Sequence, residues 1–162
     1  MNEVAQLDIV LFSIKPEYSR KIFDGSKKYE YRKHTAKKHV RLAVIYSSAP
    51  VMKVVGEVEI LEVLTGSPTK LWELTKKDSG ISRERYREYF RGTKKAYAYK
   101  LGQVLLYSPP RELIEFNVRN APQSFIYIDS ATLSDFNGIS DKKCEHLPFS
   151  KDNSPLDFIT GK

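Results

Sequence analysis

Short strand-like segments, with helical stretches bunched between them, most restrict what this 162-residue chain can fold into. Residues 8–14 (Asp8-Ile9-Val10-Leu11-Phe12-Ser13-Ile14) are β-branched and apolar, which predicts a largely buried strand. Residues 28–32 read Lys-Tyr-Glu-Tyr-Arg, a period of two that predicts a second. Residues 41–47 form a third. Residues 53–64 form a long fourth, in which Gly56 predicts a bend or a close backbone approach. The acids of that strand, Glu57, Glu59 and Glu62, are expected to face water. Residues 95–107 alternate through Tyr97, Tyr99 and Leu101, with Gly102 a candidate break, and residues 124–128 read as a closing strand. Residues 111–116 fit either a helical turn or an edge strand.

Three short helices are predicted. Pro16 has its φ preset for a first turn; Tyr18, Ile22 and Phe23 then share one face, and Gly25 suits a left-handed C-terminal cap. Ser67-Pro68 opens a second helix with Leu71, Trp72 and Thr75 on one side. Ser82 caps a third, with Ile81 and Tyr86 placed as a staple, Tyr86, Tyr89 and Phe90 as its stripe, and Gly92 at its end. Regular strand–helix alternation is absent, which argues against a doubly wound sheet. The expected fold is α+β: a small mixed or antiparallel β-barrel with short covering helices. After Ile128 the texture turns to Asp, Ser, Asn, Gly and Pro with scattered Leu133, Phe136, Phe149 and Phe158. We expect a domain over residues 1–129 and an irregular, dispensable tail over 130–162.

Charge is unevenly spread. Residues 15–41 hold ten Lys or Arg against three acids, an excess equal to the +7 of the whole chain. Concentrated positive charge makes a polyanion a plausible partner. Lys28, Lys33, Lys37, Lys38 and Arg41 are the candidates for gripping phosphates. Cys144 is the only cysteine, so no internal disulfide forms, and a reducing, cytoplasmic location is expected. No apolar run approaches the ~20 residues of a membrane span, so no membrane partner is expected. There is no P-loop and no dinucleotide fingerprint, and His34 and His39 lack a Cys or acid at ligand spacing; no cofactor and no metal are expected.

On a strand, Glu30 and Arg32 project from one face, close enough to pair. Solvated, such a pair contributes little. Recessed, Arg32 would hold Glu30, and Glu30 would accept from an exocyclic amine or polarise a water. Lys15 precedes a helix start, where backbone N–H groups already favour anions. Tyr29, Tyr31, Tyr46, Tyr97 and Tyr99 are candidates for base stacking, although most inward aromatics are simply core. Ser47 and Ser48 could offer hydroxyls to a base; without a Gly-x-Ser-x-Gly context neither reads as a nucleophile.

The block Ser13-Ile14-Lys15-Pro16, followed by Gly25-Ser26-Lys27-Lys28-Tyr29-Glu30-Tyr31-Arg32, resembles the ASCH family of the PUA-like superfamily. The family signature is Gly-x-Lys, two residues, Glu or Thr, one residue, Arg; here Gly25, Lys27, Glu30 and Arg32 hold those places. Supporting likeness lies in Tyr46-Ser47-Ser48-Ala49-Pro50, in Tyr89-Phe90 before a glycine, and in residues 96–101, so the resemblance covers roughly residues 8–128. It implies a PUA-like barrel with a cleft beside Gly-x-Lys that binds RNA or a modified nucleobase, lined by Lys15, Lys27, Glu30, Arg32, Tyr46, Ser47 and Ser48. One bacterial branch hydrolyses N4-acetylcytidine with a Lys and a Thr of this motif and a distant Glu. The Lys carries over to Lys27. The Thr position is Glu30, and no acid aligns near Ser79-Gly80, where the distant Glu would fall. An amidohydrolase on an acylated nucleoside, with Lys27 and Glu30 catalytic, is the enzymatic alternative; a domain sensing a small anion is the other.

Overall fold

The computed structural model describes residues 8–36 and 39–129. Strand β1 (Asp8–Ile14) is buried on both faces, as its unbroken apolar run requires. Helix α1 (Pro16–Phe23) follows at once, with Lys15 as its N-cap and proline in its first turn. It ends where Gly25 turns at φ +84°. Strand β2 (Tyr29–Arg32), β3 (Val40–Ser47) and β4 (Lys53–Gly66) come next. Helices α2 (Pro68–Thr75) and α3 (Arg83–Tyr89) lie together between β4 and β5 (Ala96–Arg111). Ser67 and Ser82 cap them, accepting from the Lys70 and Arg85 backbone N–H groups. A 3-10 turn over Leu113–Phe116 and strand β6 (Phe125–Ile128) complete the described chain. Residues 111–116 thus divide: Arg111 ends a strand, and the turn begins after it.

The six strands form one sheet in the order β2-β5-β4-β3-β1-β6. β1 runs parallel to β3, and the other pairs are antiparallel. The expected closed barrel is not formed. β2 and β6 are sheet edges that share no backbone ladder. The sheet curls until those edges approach, and a side chain bridges them instead. Arg32 of β2 donates to the Ser13 carbonyl at 3.3 Å and to the Ser124 carbonyl at 3.4 Å.

Inside the curl, Val10, Phe12 and Ile14 pack with Ile22 and Phe23 of α1 and with Tyr99. On the opposite face, Ile9, Leu11, Val44 and Tyr46 pack under Phe116 and Val118. A third cluster joins Tyr31 to Leu71, Tyr86 and Phe90, and so fastens α2 and α3 to β2 and β5. Gly56 is a point of close approach, since a Cβ there would lie 2.3 Å from the Leu105 carbonyl and 2.6 Å from the Phe23 ring. Gly102 does not break β5, which runs continuously past it. Irregular register opposite β4 absorbs the disturbance.

Glu57 departs from its expected place in water. It is fully buried, and Tyr107 donates to Oε1 at 2.6 Å. Shifts in the pairing of β4 with β3 and β5 near Val54 and Gly56 set the register that delivers it to this interior face. Burial, then the neighbouring carboxylate, pushes the Tyr107 hydroxyl well above its usual range. Tyr107→Phe is expected to cost about 1–3 kcal/mol, because a buried carboxylate loses a donor. Urea unfolding of the variant measures it, and a loss near zero would mean that Glu57 is served equally well without the hydroxyl.

Candidate functional site

The end of α1 sets the geometry. The Ser26 N–H bonds the Asp24 carboxylate at 2.8 Å, and the Lys27 N–H returns to the Lys21 carbonyl at 2.9 Å. That turn aims the Lys27 side chain into the protein, where it is 3% exposed. Its Nζ donates to the Ser79 carbonyl at 2.7 Å and lies 4.9 Å from the Tyr31 ring centre and 5.5 Å from that of Tyr18. Burial pulls its pKa down to about 8, with Lys21 and Arg32 acting in the same sense and Glu30 against.

The loop after α2 is shaped to receive this lysine. Gly80 has φ +63°, and a Cβ there would stand 2.4 Å from the Lys27 Cβ, so only glycine lets the loop approach so closely. Lys21 Nζ donates to the Gly80 carbonyl at 3.2 Å, and the Lys28 N–H bonds the Asp78 carbonyl at 2.8 Å.

A few residues further on, Glu30 and Arg32 face into the curl. Arg32 Nη2 contacts Glu30 Oε1 at 3.1 Å, with the two side chains 8% and 11% exposed. The guanidinium also lies 4.6 Å from the Phe12 ring centre, and its buried Nε–H has no partner among the described residues. The expected two faces of β2 are therefore both covered: Tyr31 packs against α2 and α3, and the charged face looks inward. Tyr31 bonds Thr75 at 2.7 Å.

Two tyrosines flank this set. Tyr18 of α1 is half-buried over Lys27, and Arg85 of α3 bonds both Tyr18 and Glu17, which joins the two helices. Tyr89 of α3 is 38% exposed, and its hydroxyl feels both Arg32 and Glu30 and bonds the Lys33 backbone. Neither tyrosine stood out as a ligand group in the sequence, because each falls on the apolar stripe of its helix. A cavity of about 120 Å3 is lined by Gly25, Lys27 and Lys28, and one of about 480 Å3 lies between His39 and Leu61; neither is lined by Glu30 or Arg32.

The other candidates are dispersed. Lys15 is exposed at the start of α1. Ser47 is fully buried and bonded to Ser19 at 2.9 Å, and Ser48 is half-buried in the turn after β3. Tyr46 belongs to the cluster on the opposite face of the sheet. Tyr99 is core, with its hydroxyl on Thr35 and the Ala36 N–H. Lys28 and Lys33 are exposed at opposite ends of β2, and Arg41 is exposed on β3, beyond β5 and β4 in the sheet. Lys37 and Lys38 lie outside the described residues, as does the tail from residue 130. Among the described residues no three His, Cys, Asp or Glu are placed to hold a metal ion, and no helix is long and apolar enough to cross a membrane.

A mixed α+β domain with a curled six-stranded sheet, a buried carboxylate and guanidinium on one edge strand and a buried lysine just before it defines the class. The ASCH domain model matches residues 12–106, and the chain belongs to that family. The crystal structure of ASCH from Zymomonas mobilis superposes with a TM-score of 0.72 at 25% identity, covering 78% of this chain and 91% of that one. An ASCH domain-containing ribonuclease from Zymomonas mobilis is 28% identical over 102 residues, 62% of this chain and 69% of the relative. Over 122 residues the chain is 30% identical to large ribosomal subunit protein uL22 from Ureaplasma parvum, and over 120 residues 33% identical to ATP synthase subunit alpha from the same species. It spans only 39% and 15% of those two relatives' lengths.

Proposed function

We propose that this domain binds RNA and receives one unpaired base in the recess of Lys27, Glu30 and Arg32. The observation that carries the reading is the burial of three charged side chains within six residues of one edge segment, at 3%, 8% and 6% exposure. Burying charge is costly, and buried, closely set charges are concentrated at functional sites. Arg32 engages Glu30 through Oε1. The other carboxylate oxygen suits an exocyclic amine such as cytosine N4, and Lys27 suits a base carbonyl or a phosphate. The name of the Zymomonas mobilis relative, a ribonuclease, agrees with RNA as the ligand.

Oligocytidine should bind more tightly than oligouridine of equal length, whose bases lack that amine. Glu30→Gln should abolish the preference, because an amide is a weaker acceptor and can present the wrong group. The discrimination lost is about 1–3 kcal/mol. Equal affinity of the parent for both polymers would sink the base-reading role.

A second reading is RNA cleavage. A lysine near pKa 8 exchanges its proton close to neutral pH, as a general acid or base must. Fragments released from RNA by purified protein, and lost with Lys27→Met, would establish it. Acetate released from N4-acetylcytidine would instead favour the amidohydrolase.

A further inference from the structure

Folding regroups the basic residues. In sequence, positive charge peaks in residues 15–41, but the described part of that stretch is scattered over α1, both ends of β2, and β3. A second stretch, residues 83–95, carries six Lys or Arg against two acids. Its C-terminal part is brought against the site. Gly92 turns the chain at φ +75° just after α3, and Arg91, Lys94 and Lys95 are exposed around that turn. Arg32 pairs with Tyr97 across the β2–β5 ladder, so Lys33 leaves β2 beside the start of β5, which Lys95 precedes. Lys33 Nζ lies 5.0 Å from the Tyr89 ring centre, and Lys95 Nζ lies 5.7 Å from that of Tyr97. The Tyr89 hydroxyl is the one that bonds the Lys33 backbone and feels the charges of Glu30 and Arg32.

We propose that Lys33, Arg91, Lys94 and Lys95, with the rings of Tyr89 and Tyr97, form a track for the phosphodiester backbone of single-stranded RNA leading to the recess. The inference rests on the RNA-binding reading above. Four exposed cations, two of them over partly open aromatic rings, match a flexible polyanion whose bases can stack. A folded acidic protein surface presents few flat groups spaced along a run of anions. An A-form duplex keeps its bases stacked inside and has nothing for the rings. The acids of the segment, Glu84 and Glu88, lie on the helix, before the turn that carries Arg91, Lys94 and Lys95.

The test uses the full chain and a fluorescent single-stranded RNA of mixed sequence, roughly twelve nucleotides long. Anisotropy titrations at several salt concentrations compare the parent with Arg91→Ala/Lys94→Ala/Lys95→Ala and with Lys76→Ala/Lys77→Ala. All the altered residues are exposed, and thermal unfolding checks that the folds are equal. The track variant should bind at least tenfold more weakly at low salt. Its slope of log K against log salt should be shallower by about 0.7 for each phosphate no longer neutralised, roughly 2 in all. The Lys76/Lys77 variant should match the parent. Unchanged affinity and slope in the track variant, with the oligocytidine preference intact, would overturn the track and leave the recess standing. Weaker binding by the track variant, with no effect of Glu30→Gln on base preference, would support the track and overturn the base-reading role. Equal binding of a duplex of the same length would overturn the single-strand assignment. No binding by the parent would remove both.

Discussion

Arg32→Ala is expected to destabilise the domain by about 3–5 kcal/mol, the usual result of removing one partner of a buried ion pair. Three losses coincide. Glu30 is left as an uncompensated carboxylate at 8% exposure. The carbonyls of Ser13 and Ser124 lose a charged donor. The edges of the sheet, which share no ladder, lose the group that spans them. Arg32→Lys should recover only part, since one ammonium cannot reach Glu30, Ser13 and Ser124 with the fork of a guanidinium. Replacing both charges, with Arg32→Met and Glu30→Leu, should recover more stability than Arg32→Ala keeps, while abolishing ligand binding. Midpoints of urea unfolding at constant m-value measure all three. A loss below about 1 kcal/mol for Arg32→Ala would class the pair with surface ion pairs and withdraw its role as the bridge.

Stability should also rise with pH between about 8 and 10, and Lys27 should be the cause. Burial lowers the Lys27 pKa in the folded domain from 10.5 to about 8. Within that interval the unfolded chain holds a proton that the folded domain has released, so raising the pH favours folding. Below about 8 both states are protonated, and the full cost of burying the ammonium is felt. At 1.36 kcal/mol per pKa unit, that cost is about 3 kcal/mol. Lys27→Met should flatten the rise. At neutral pH the variant regains the burial cost but leaves the Ser79 carbonyl without its donor, a loss of about 1–3 kcal/mol. The slope is therefore the sharper reading. Tyrosines work in the opposite sense at higher pH, because burial raises Tyr86 to about 12 and also raises Tyr18 and Tyr89. The comparison belongs below pH 10, as urea unfolding of parent and variant. Identical slopes would mean that Lys27 keeps an ordinary pKa and is not isolated from water.

These two predictions join stability to function. The interactions that make Arg32 and Lys27 expensive to alter also hold them, with Glu30, buried within six residues of one another. A ligand that supplied an acceptor to Arg32 and an anion to Lys27 would relieve part of the burial cost. Ligand binding should then raise the apparent Lys27 pKa, since an anion favours the ammonium.

Local signals settle a good deal before any tertiary contact is known. The unbroken apolar run of β1, the Pro16 and Gly25 boundaries of α1, and the Ser67 and Ser82 caps each depend on neighbours a few residues away. Such features are legible because backbone hydrogen bonding and side-chain period are short-range. The block over residues 25–32 is likewise local, and it carried the family resemblance. The placement of its charges was not local. Whether Glu30 and Arg32 sat in water or in a recess depended on Ser13, Tyr89 and Ser124, far along the chain. The motif marked Lys27 as a site candidate, but its burial depended on Ser79 and Gly80, about fifty residues further along the chain. Glu57 read as solvent-facing by simple alternation, and irregular register buried it against Tyr107. The expected barrel failed at the join between the two edge strands, where an arginine stands in place of a ladder. The sequence by itself determined roughly where the strands and helices lie, and which residues carry charge, although β5 runs four residues past the strand read from it. Tertiary structure alone decided which charges are desolvated and which cations become neighbours, because burial and long-range proximity belong to the packed assembly of segments and not to any one of them.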